Sequence, residues 1–208
     1  MKLSQQRSRK TRDQILAAAR DLFARQGYEL TSIDQIAAAA KVAKSSVFAH
    51  FGDKANLLAA LGLSQIEALA EAGRQGDASD PAQSLEVRVL ALLSPWLAYF
   101  CGEPAFAGLY LSQSGIARGP HTDEFMRLCF ELEDQTARIF ETGLDGCPPD
   151  QARLFARGVQ ALFHEAIVYE ISDWLKQSQA PPRSAEAVLA DFLAIWIAGA
   201  RRRTGSEA

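Results

Sequence analysis

Residues 32–54, with the sequence SIDQIAAAAKVAKSSVFAHFGDK, constrain the fold of this chain more than any other stretch. Ser32 and Gln35 have the spacing of a capping box, which predicts a helix beginning at Ser32. A tight turn at residues 41–43 separates this helix from a second short one at residues 44–51, which Gly52 ends. Two helices this short cannot bury enough apolar surface to stand alone. We therefore expect longer apolar helices on either side to hold the pair in place.

The remainder of the chain is predicted to be helical. Apolar residues recur at the spacing of amphipathic helices, whereas the alternation typical of strands is nearly absent. About nine helices are predicted, at residues 9–26, 32–40, 44–51, 54–74, 82–100, near 106–110, 122–142, 150–177 and 184–201. Lys2, Arg7, Arg9, Lys10 and Arg12 are expected to form a polar, basic N-terminal arm. The pattern predicts an all-α protein with an N-terminal domain at residues 1–53 and a larger helical domain at residues 54–208.

The charge of the chain is divided unevenly. Residues 1–56 carry ten Lys or Arg against five Asp or Glu, a net charge of +5. Residues 57–208 carry twelve against twenty, a net charge of −8. A basic head on an acidic body is typical of a module that binds a polyanion, although short basic segments are also often merely solvated.

The sequence indicates a cytoplasmic protein that does not enter a membrane. The basic N-terminus is not followed by the apolar core of a secretory signal, and the most apolar run, residues 185–200, is shorter than the ~20 residues of a membrane span. The three cysteines, at positions 101, 129 and 147, are widely spaced, which favours reduced thiols over disulfides.

The two C-terminal helices are predicted to bind a second copy of the chain. Both are apolar around much of their circumference and therefore need cover on more than one side. Small residues and one carboxylate line a stripe of the last helix, and two apolar residues face it from the helix before. These predicted interface residues are Ala187, Asp191, Ala194, Ala198, Phe155 and Leu162. A homodimer with four-helix packing is favoured, and an unusually large monomer core is the alternative.

The short helical pair has the chemistry expected of a DNA reader. A helix, a tight turn and a second helix can place the second helix in the major groove of DNA. Lys44, Ser45 and Ser46 lie at the N-terminal end of that helix, where base edges are read. Ser32 and Lys54, at the starts of two helices, are expected to contact phosphates, and so is His50.

A longer set of residues carries a family resemblance over about residues 8–60. Its members are Thr11, Arg12, Ile15, Leu16, Ala18, Ala19, Leu22, Phe23, Gly27, Tyr28, Thr31, Ser32, Ile36, Ala37, Ala40, Val42, Lys44, Phe48, His50, Phe51, Lys54, Leu57 and Leu58. In order and register they resemble the tetracycline-repressor-like (TetR) family of bacterial transcriptional regulators. Beyond residue 60 the chain matches this family only as an all-helical body of suitable length.

The resemblance implies a homodimeric repressor that binds double-stranded operator DNA and is released by a small effector. It implies groove contacts for Lys44 and Ser45, and phosphate contacts for Ser32, Phe48, His50 and Lys54. The chain departs from the family pattern at three positions. Lys41 stands in place of the usual turn glycine, Ala43 in place of a capping serine, and Phe48 in place of a tyrosine that can donate a hydroxyl.

An effector site is expected among the helices of the larger domain, where aromatic residues concentrate and Pro95 should kink a helix. The predicted lining residues are Trp96, Phe100, Tyr110, Phe125, Cys129, Phe163 and His164. The adjacent pair of His164 and Glu165 lies in an apolar stretch. It is expected either to orient a polar ligand group or to pair across the dimer. The predicted effector is mainly apolar or aromatic.

Two other classes of function are less compatible with the sequence. A small enzyme could use His164 and Glu165, but no spacing of nucleophile, base and orienting group is visible. A helical interaction module would leave the basic, capped N-terminal pair unexplained. We therefore expect no catalytic activity, no cofactor and no metal.

Overall fold

The computed structural model describes residues 2–75, 80, 82–113, 121–178 and 183–205, and within these ranges all regular structure is helical. The prediction of an all-α fold with an N-terminal helix–turn–helix is confirmed. Ten helices are described, against about nine predicted. They are α1 (Lys2–Gln26), α2 (Ile33–Ala40), α3 (Lys44–Phe51), α4 (Lys54–Gln75), α5 (Leu85–Gly102), α6 (Pro104–Gln113), α7 (Thr122–Gly143), α8 (Pro149–Ile171), α9 (Asp173–Ser178) and α10 (Ala185–Thr204).

Three predicted helix boundaries are wrong, each for a local reason. Helix α1 begins at Lys2, so the expected N-terminal arm is helical, because no proline or glycine interrupts residues 2–26. Helix α5 begins later than predicted, because the Ser84 side chain accepts from the Val87 amide and caps it there. The predicted helix at residues 150–177 is two helices. Ser172 leaves helical geometry between them, and its hydroxyl accepts from the Leu175 amide.

Contacts divide the chain into two compact units, Met1–Gln65 and Ile66–Ala208. The division falls inside α4, whereas the sequence prediction placed the domain boundary at the start of that helix. In the first unit α1 packs against α2 and α3. Ile15 of α1, Ile36 of α2, Val47 of α3 and Leu57 of α4 are fully or almost fully buried in its core. The apolar faces that the sequence predicted for these helices therefore meet in one cluster.

In the second unit α8 packs against α7, α10 and α5. An ion pair between Arg201 of α10 and Glu86 of α5 links two of these helices, with Arg201 donating to both carboxylate oxygens. Helix α5 contains Pro95 and is the one described helix with the length and apolar composition of a membrane span. Nearly half of its residues are buried inside the protein, as in the core helix of a helical domain.

Candidate nucleic-acid interface and small-molecule site

The turn between α2 and α3 keeps its tight geometry without glycine. Lys41 adopts the left-handed conformation, with φ 57° and ψ 42°, and no other described non-glycine residue has a positive φ. Its amide donates to the Ala38 carbonyl, and the Val42 amide donates to that of Ala37. This pair of bonds is the Schellman motif, which usually places glycine at the position of Lys41. The turn is therefore retained, and Lys41 bears its conformational strain.

The N-terminal end of α3 is exposed, while two residues of its opposite side are buried. Val47 and Phe51 lie in the core of the first unit. Lys44 and Ser45 are exposed and Ser46 is partly exposed. The residue before them, Ala43, has an extended conformation and no side-chain cap, as its identity predicted. The first turn of α3 thus offers backbone N–H groups and a lysine to an incoming anion.

The start of α2 has the predicted capping box. The Ser32 hydroxyl accepts from the Gln35 amide at 3.2 Å, and the Gln35 side chain accepts from the Ser32 amide at 2.8 Å. Since the hydroxyl is only accepting here, it can still donate its proton to a phosphate oxygen. Gln26 of α1 also donates to the Gln35 side chain, at 3.2 Å. Ser32 is thus held in an exposed, defined position.

Both lysines of the predicted interface lie near this end of α2. The Lys44 ammonium pairs with Asp34 at 2.9 Å, with both side chains largely exposed. The Lys54 ammonium donates to the carbonyl of Thr31, the residue before Ser32, at 3.1 Å. Lys54 also donates to the carbonyls of Tyr28 and Glu29. The structure therefore brings Ser32, Lys44 and Lys54 to one end of the helical pair.

Phe48 and His50 differ in exposure. Phe48 is 45% exposed on α3, one turn after Lys44. His50 is partly exposed, and its ring lies 6.2 Å from that of Phe51. Lys44, Ser45 and Phe48 are all exposed on α3. Phe48 follows Lys44 by four residues and Ser45 by three, so its side chain neighbours both on the helix surface. These three residues define the most accessible face of the candidate interface.

The aromatic residues predicted to line an effector site form a packed core. Trp96, Phe100, Phe125 and Phe163 are at most 4% exposed. The Phe100 ring is 4.5 Å from that of Tyr110 and 6.1 Å from that of Phe163. Rings at these distances are in direct contact. These residues therefore contribute mainly to the core of the second unit.

One polar cluster interrupts this core. The Tyr110 hydroxyl lies 2.7 Å from Nε2 of His164 and 3.2 Å from Sγ of Cys129. The side-chain amide nitrogen of Gln160 is 3.3 Å from both the Tyr110 hydroxyl and His164 Nε2. Burial raises the pKa of Tyr110 well above its usual value and raises that of Cys129, while it lowers the pKa of His164. All three side chains are therefore held in their uncharged forms.

A cavity between α7 and α8 opens beside this cluster. Its volume is about 230 Å³, and it is lined by Met126, Cys129, Phe130, Glu133, Arg157, Gln160, Ala161 and His164. Two of its residues, Cys129 and His164, were predicted from the sequence. The others were missed, because the cavity brings together residues of α7 and α8 that are distant along the chain. Glu165 is exposed in the protomer whereas His164 is only partly exposed, so the two side chains do not form a buried pair within one chain.

The predicted dimer residues divide between the core and the surface. Phe155 is buried against Phe140 within the protomer, with the ring centroids 5.4 Å apart. Asp191, Ala194 and the partly exposed Ala187, Ala198 and Leu162 lie on accessible faces of α10 and α8. Asp191 pairs with Arg183 at 2.6 Å.

Exposed apolar side chains that the prediction did not include lie on the same two helices. They are Leu154 on α8 and Ile195 and Trp196 on α10, of which Ile195 is 74% exposed. The Trp196 indole covers Gly158, where a side chain would collide with it, and its N–H donates to the Phe155 carbonyl. Helices α8 and α10 thus combine close packing within the protomer with an exposed apolar face.

Potential metal ligands do not gather in the described part of the chain. No group of three His, Cys, Asp or Glu side chains there could hold an ion. The three cysteines are unpaired thiols, with Cys129 buried and the other two partly exposed.

Comparison with known sequences finds similarity in the N-terminal unit. The family model described as "Bacterial regulatory proteins, tetR family" matches residues 15–61. The HTH-type transcriptional regulator TcmR of Streptomyces glaucescens is 46% identical over 52 residues. That alignment covers 25% of this chain and 23% of TcmR. The sequence similarity therefore extends over about a quarter of either protein.

Comparison with solved structures extends the similarity in fold to almost the whole chain. A tetR-family transcriptional regulator from Streptomyces coelicolor has a TM-score of 0.66 at 18% identity, covering 95% of this chain and 85% of its own. Thermus thermophilus FadR, solved in complex with lauroyl-CoA, has a TM-score of 0.61 at 19% identity, covering 90% and 94%. At such low identities the likeness is one of fold.

Proposed function

The N-terminal unit of this chain belongs to the TetR family and its fold is TetR-like, and on that premise we propose that the protein is a homodimeric, effector-released transcriptional repressor. Its ligands in this proposal are double-stranded operator DNA and a small, mainly apolar or aromatic molecule. A bacterial cytoplasm is the corresponding compartment.

The exposed N-terminal end of α3 is the observation that carries this proposal. Lys44 and Ser45 project from its first turn, and the Schellman motif at Lys41 sets its direction relative to α2. An exposed helix end of this kind can enter the major groove, with base contacts from its first residues. Ser32, at the start of α2, would then donate to a backbone phosphate.

Repression by this geometry requires two copies of the chain. One short helix reads only a few base pairs, whereas two copies would read half-sites about 34–36 Å apart. The exposed apolar faces of α8 and α10, which include Leu154 and Ile195, are the proposed contact between the copies. Removing the exposed part of such side chains from water favours association, by less than the roughly 1.5–3 kcal/mol that full burial of one side chain gives.

Release by an effector requires that it bind better to a protein conformation that does not fit the operator. The cavity between α7 and α8 is the site that we assign to it. The T. thermophilus neighbour is described as a complex with lauroyl-CoA. The 230 Å³ cavity, with its uncharged inner side chains, instead favours a compact effector in this chain.

The side chains of the polar cluster do not favour the alternative that this protein is an enzyme. Burial keeps Cys129 as a thiol and Tyr110 as a phenol, so neither is an activated nucleophile. We therefore assign the cluster to binding and not to catalysis.

The proposal is tested by gel shift with the DNA that flanks the gene for this protein, at about 50 mM and about 200 mM salt. Binding by a dimer should weaken between the two by orders of magnitude, because several phosphates are neutralised. Binding to a heterologous duplex of equal length is the control. Salt-insensitive binding, or equal affinity for both duplexes, would contradict the proposal.

A further inference from the structure

The cavity between α7 and α8 borders the polar cluster of Tyr110, Cys129, Gln160 and His164. The hydrogen bonds within this cluster determine which donors and acceptors the cavity wall presents to a ligand. Tyr110 is a neutral phenol at all ordinary pH values because of its burial. Its hydroxyl proton therefore needs an acceptor, and the His164 Nε2 at 2.7 Å is the nearest. The Gln160 amide, 3.3 Å away, can donate to the Tyr110 oxygen at the same time. Tyr110 is then both a donor and an acceptor.

These bonds assign the tautomer of His164. If Nε2 accepts from Tyr110, the neutral imidazole must carry its proton on Nδ1. No described residue accepts a hydrogen bond from that nitrogen. Nδ1 is not one of the buried atoms without a partner, so it is accessible from outside the protein. His164 lines the cavity. The wall of the cavity therefore carries an imidazole N–H donor whose acceptor must come from outside the protein.

The remaining lining is apolar or compensated in charge. Met126, Phe130 and Ala161 contribute apolar surface. Arg157 donates two hydrogen bonds to Glu133, at 2.7 and 3.1 Å, so their opposite charges are paired. Cys129 is an uncharged thiol, because burial raises its pKa. A ligand in this cavity thus meets no uncompensated charge, and a charged ligand would lose hydration without gaining a partner.

We infer that the α7–α8 cavity binds an uncharged, compact aromatic molecule whose carbonyl or hydroxyl oxygen accepts a hydrogen bond from Nδ1 of His164. The 230 Å³ volume corresponds to roughly eight water-sized groups at about 30 Å³ each. Covalently bonded atoms pack more closely than separate waters, so a compact ring with a short substituent matches this volume. Met126 and Phe130 would contact the ring of the ligand. The role of this molecule as an effector rests on the proposed function, whereas its binding does not.

Three probes of nearly equal shape test this inference on the full chain. Acetophenone, cumene and benzoate each have a benzene ring with a branched substituent and nine non-hydrogen atoms. Acetophenone offers an uncharged acceptor, cumene offers none, and benzoate is charged. Calorimetric titration should show saturable binding of acetophenone at least ten-fold tighter than that of cumene or benzoate. No saturable binding of acetophenone, or equal affinity for all three probes, would overturn the inference.

Two variants separate the donor from the structural role of the imidazole. In His164→Gln the amide lies near the former Nε2 and can still accept from Tyr110, but the Nδ1–H donor is lost. In His164→Asn the amide lies near the former Nδ1 and keeps that donor. We expect the preference for acetophenone over cumene to vanish in His164→Gln and to persist in His164→Asn. Retention of the preference in a folded His164→Gln protein would overturn the assigned donor.

The tautomer can be read on the wild-type protein without any variant. A long-range ¹H–¹⁵N spectrum of histidine-labelled protein should show His164 protonated on Nδ1, and protonation on Nε2 would overturn the argument. A gel shift with acetophenone added then tests the regulatory role separately. If acetophenone binds with the expected preference but leaves the DNA complex intact, the site stands and its assignment as the effector site fails.

Discussion

The Lys54 ammonium lies 4.1 Å from the centroid of the Tyr28 ring and donates to the Tyr28 carbonyl oxygen at 2.9 Å. The same ammonium donates to the carbonyls of Thr31 and Glu29. Lys54 begins α4, and the three carbonyls belong to the loop between α1 and α2. Its three protons therefore hold this loop against the start of α4, and a phosphate could bind Lys54 only in exchange for one of them.

Lys54→Met should destabilise the first unit by about 1–3 kcal/mol, because the loop carbonyls lose a charged donor and Tyr28 loses its cation. Hydrogen exchange of the α2 and α3 amides measures this change locally. Lys10→Met, at an exposed position of α1, is the control and should leave exchange unchanged. Unaltered protection in Lys54→Met would show that the lysine acts only on DNA.

Lys41→Gly should stabilise the protein by up to about 1 kcal/mol. A left-handed conformation costs a non-glycine residue roughly 1–2 kcal/mol, and the greater freedom of glycine in the unfolded chain offsets part of that gain. Chemical denaturation provides the measurement. Ala39→Gly, at an exposed position within α2, should instead destabilise by about 1 kcal/mol. If both variants destabilise alike, the strain assigned to Lys41 is absent.

Features set by neighbouring residues could be predicted from the sequence. The capping box of Ser32 and Gln35 and the bounds of α3 depend on contacts a few residues apart, and the prediction of both is confirmed. The break at Ser172 was missed, because the apolar pattern continues through it and only the side-chain bond to Leu175 reveals a new helix.

Features set by the packing of distant helices could not be predicted. Gln160 joins Tyr110 across fifty residues of sequence, and no local pattern signals that contact. Phe100, Tyr110, Phe125 and Phe163 were predicted to line a pocket, but their rings contact one another. Sequence spacing does not distinguish a core ring from a lining ring. The several roles of Lys54 were likewise hidden, since its acceptors are backbone atoms.

Ile195→Glu should shift the protein from dimer toward monomer. Ile195 is 74% exposed in the protomer, and a carboxylate there would be desolvated without a partner at the proposed interface. Sedimentation equilibrium over a range of concentrations measures the change. Val87→Glu, on a half-exposed apolar residue of α5, is the control and should remain dimeric. Equal dissociation of both variants, or of neither, would contradict a dimer through α10.

His164 should make the protein less stable in mild acid. Its pKa is lowered in the folded state by burial, so below about pH 6.5 the unfolded chain binds more protons, and its stabilising contribution is lost as the pH falls. At about pH 5.5, one unit below the pKa of histidine in the unfolded chain, the loss of stability is at most about 1.4 kcal/mol. Tyr110 contacts the ring and Cys129 contacts Tyr110, and neither titrates in this range because burial raises the pKa of both.

Denaturation at about pH 7.5 and about pH 5.5 measures this effect. The decrease in stability should be smaller in His164→Gln than in the wild-type protein. An identical decrease in both would show that other groups account for the acid sensitivity.

The ion pair between Lys44 and Asp34 gives two variants with opposite expected effects on DNA binding. Lys44→Ala removes the proposed groove contact, whereas Asp34→Asn removes the competing carboxylate and leaves the lysine available. Neither should change stability by more than about 1 kcal/mol, because the pair is largely exposed. Differences in affinity can then be assigned to the DNA interface.

The most direct test of whether α3 reads DNA is the affinity of these two variants for the flanking DNA. Fluorescence anisotropy measures it from about 50 mM to about 200 mM salt. We predict that Lys44→Ala binds roughly ten-fold more weakly and that Asp34→Asn binds at least as tightly as the wild-type protein. Wild-type affinity in Lys44→Ala, together with an unchanged preference for the flanking DNA over a heterologous duplex, would contradict the account.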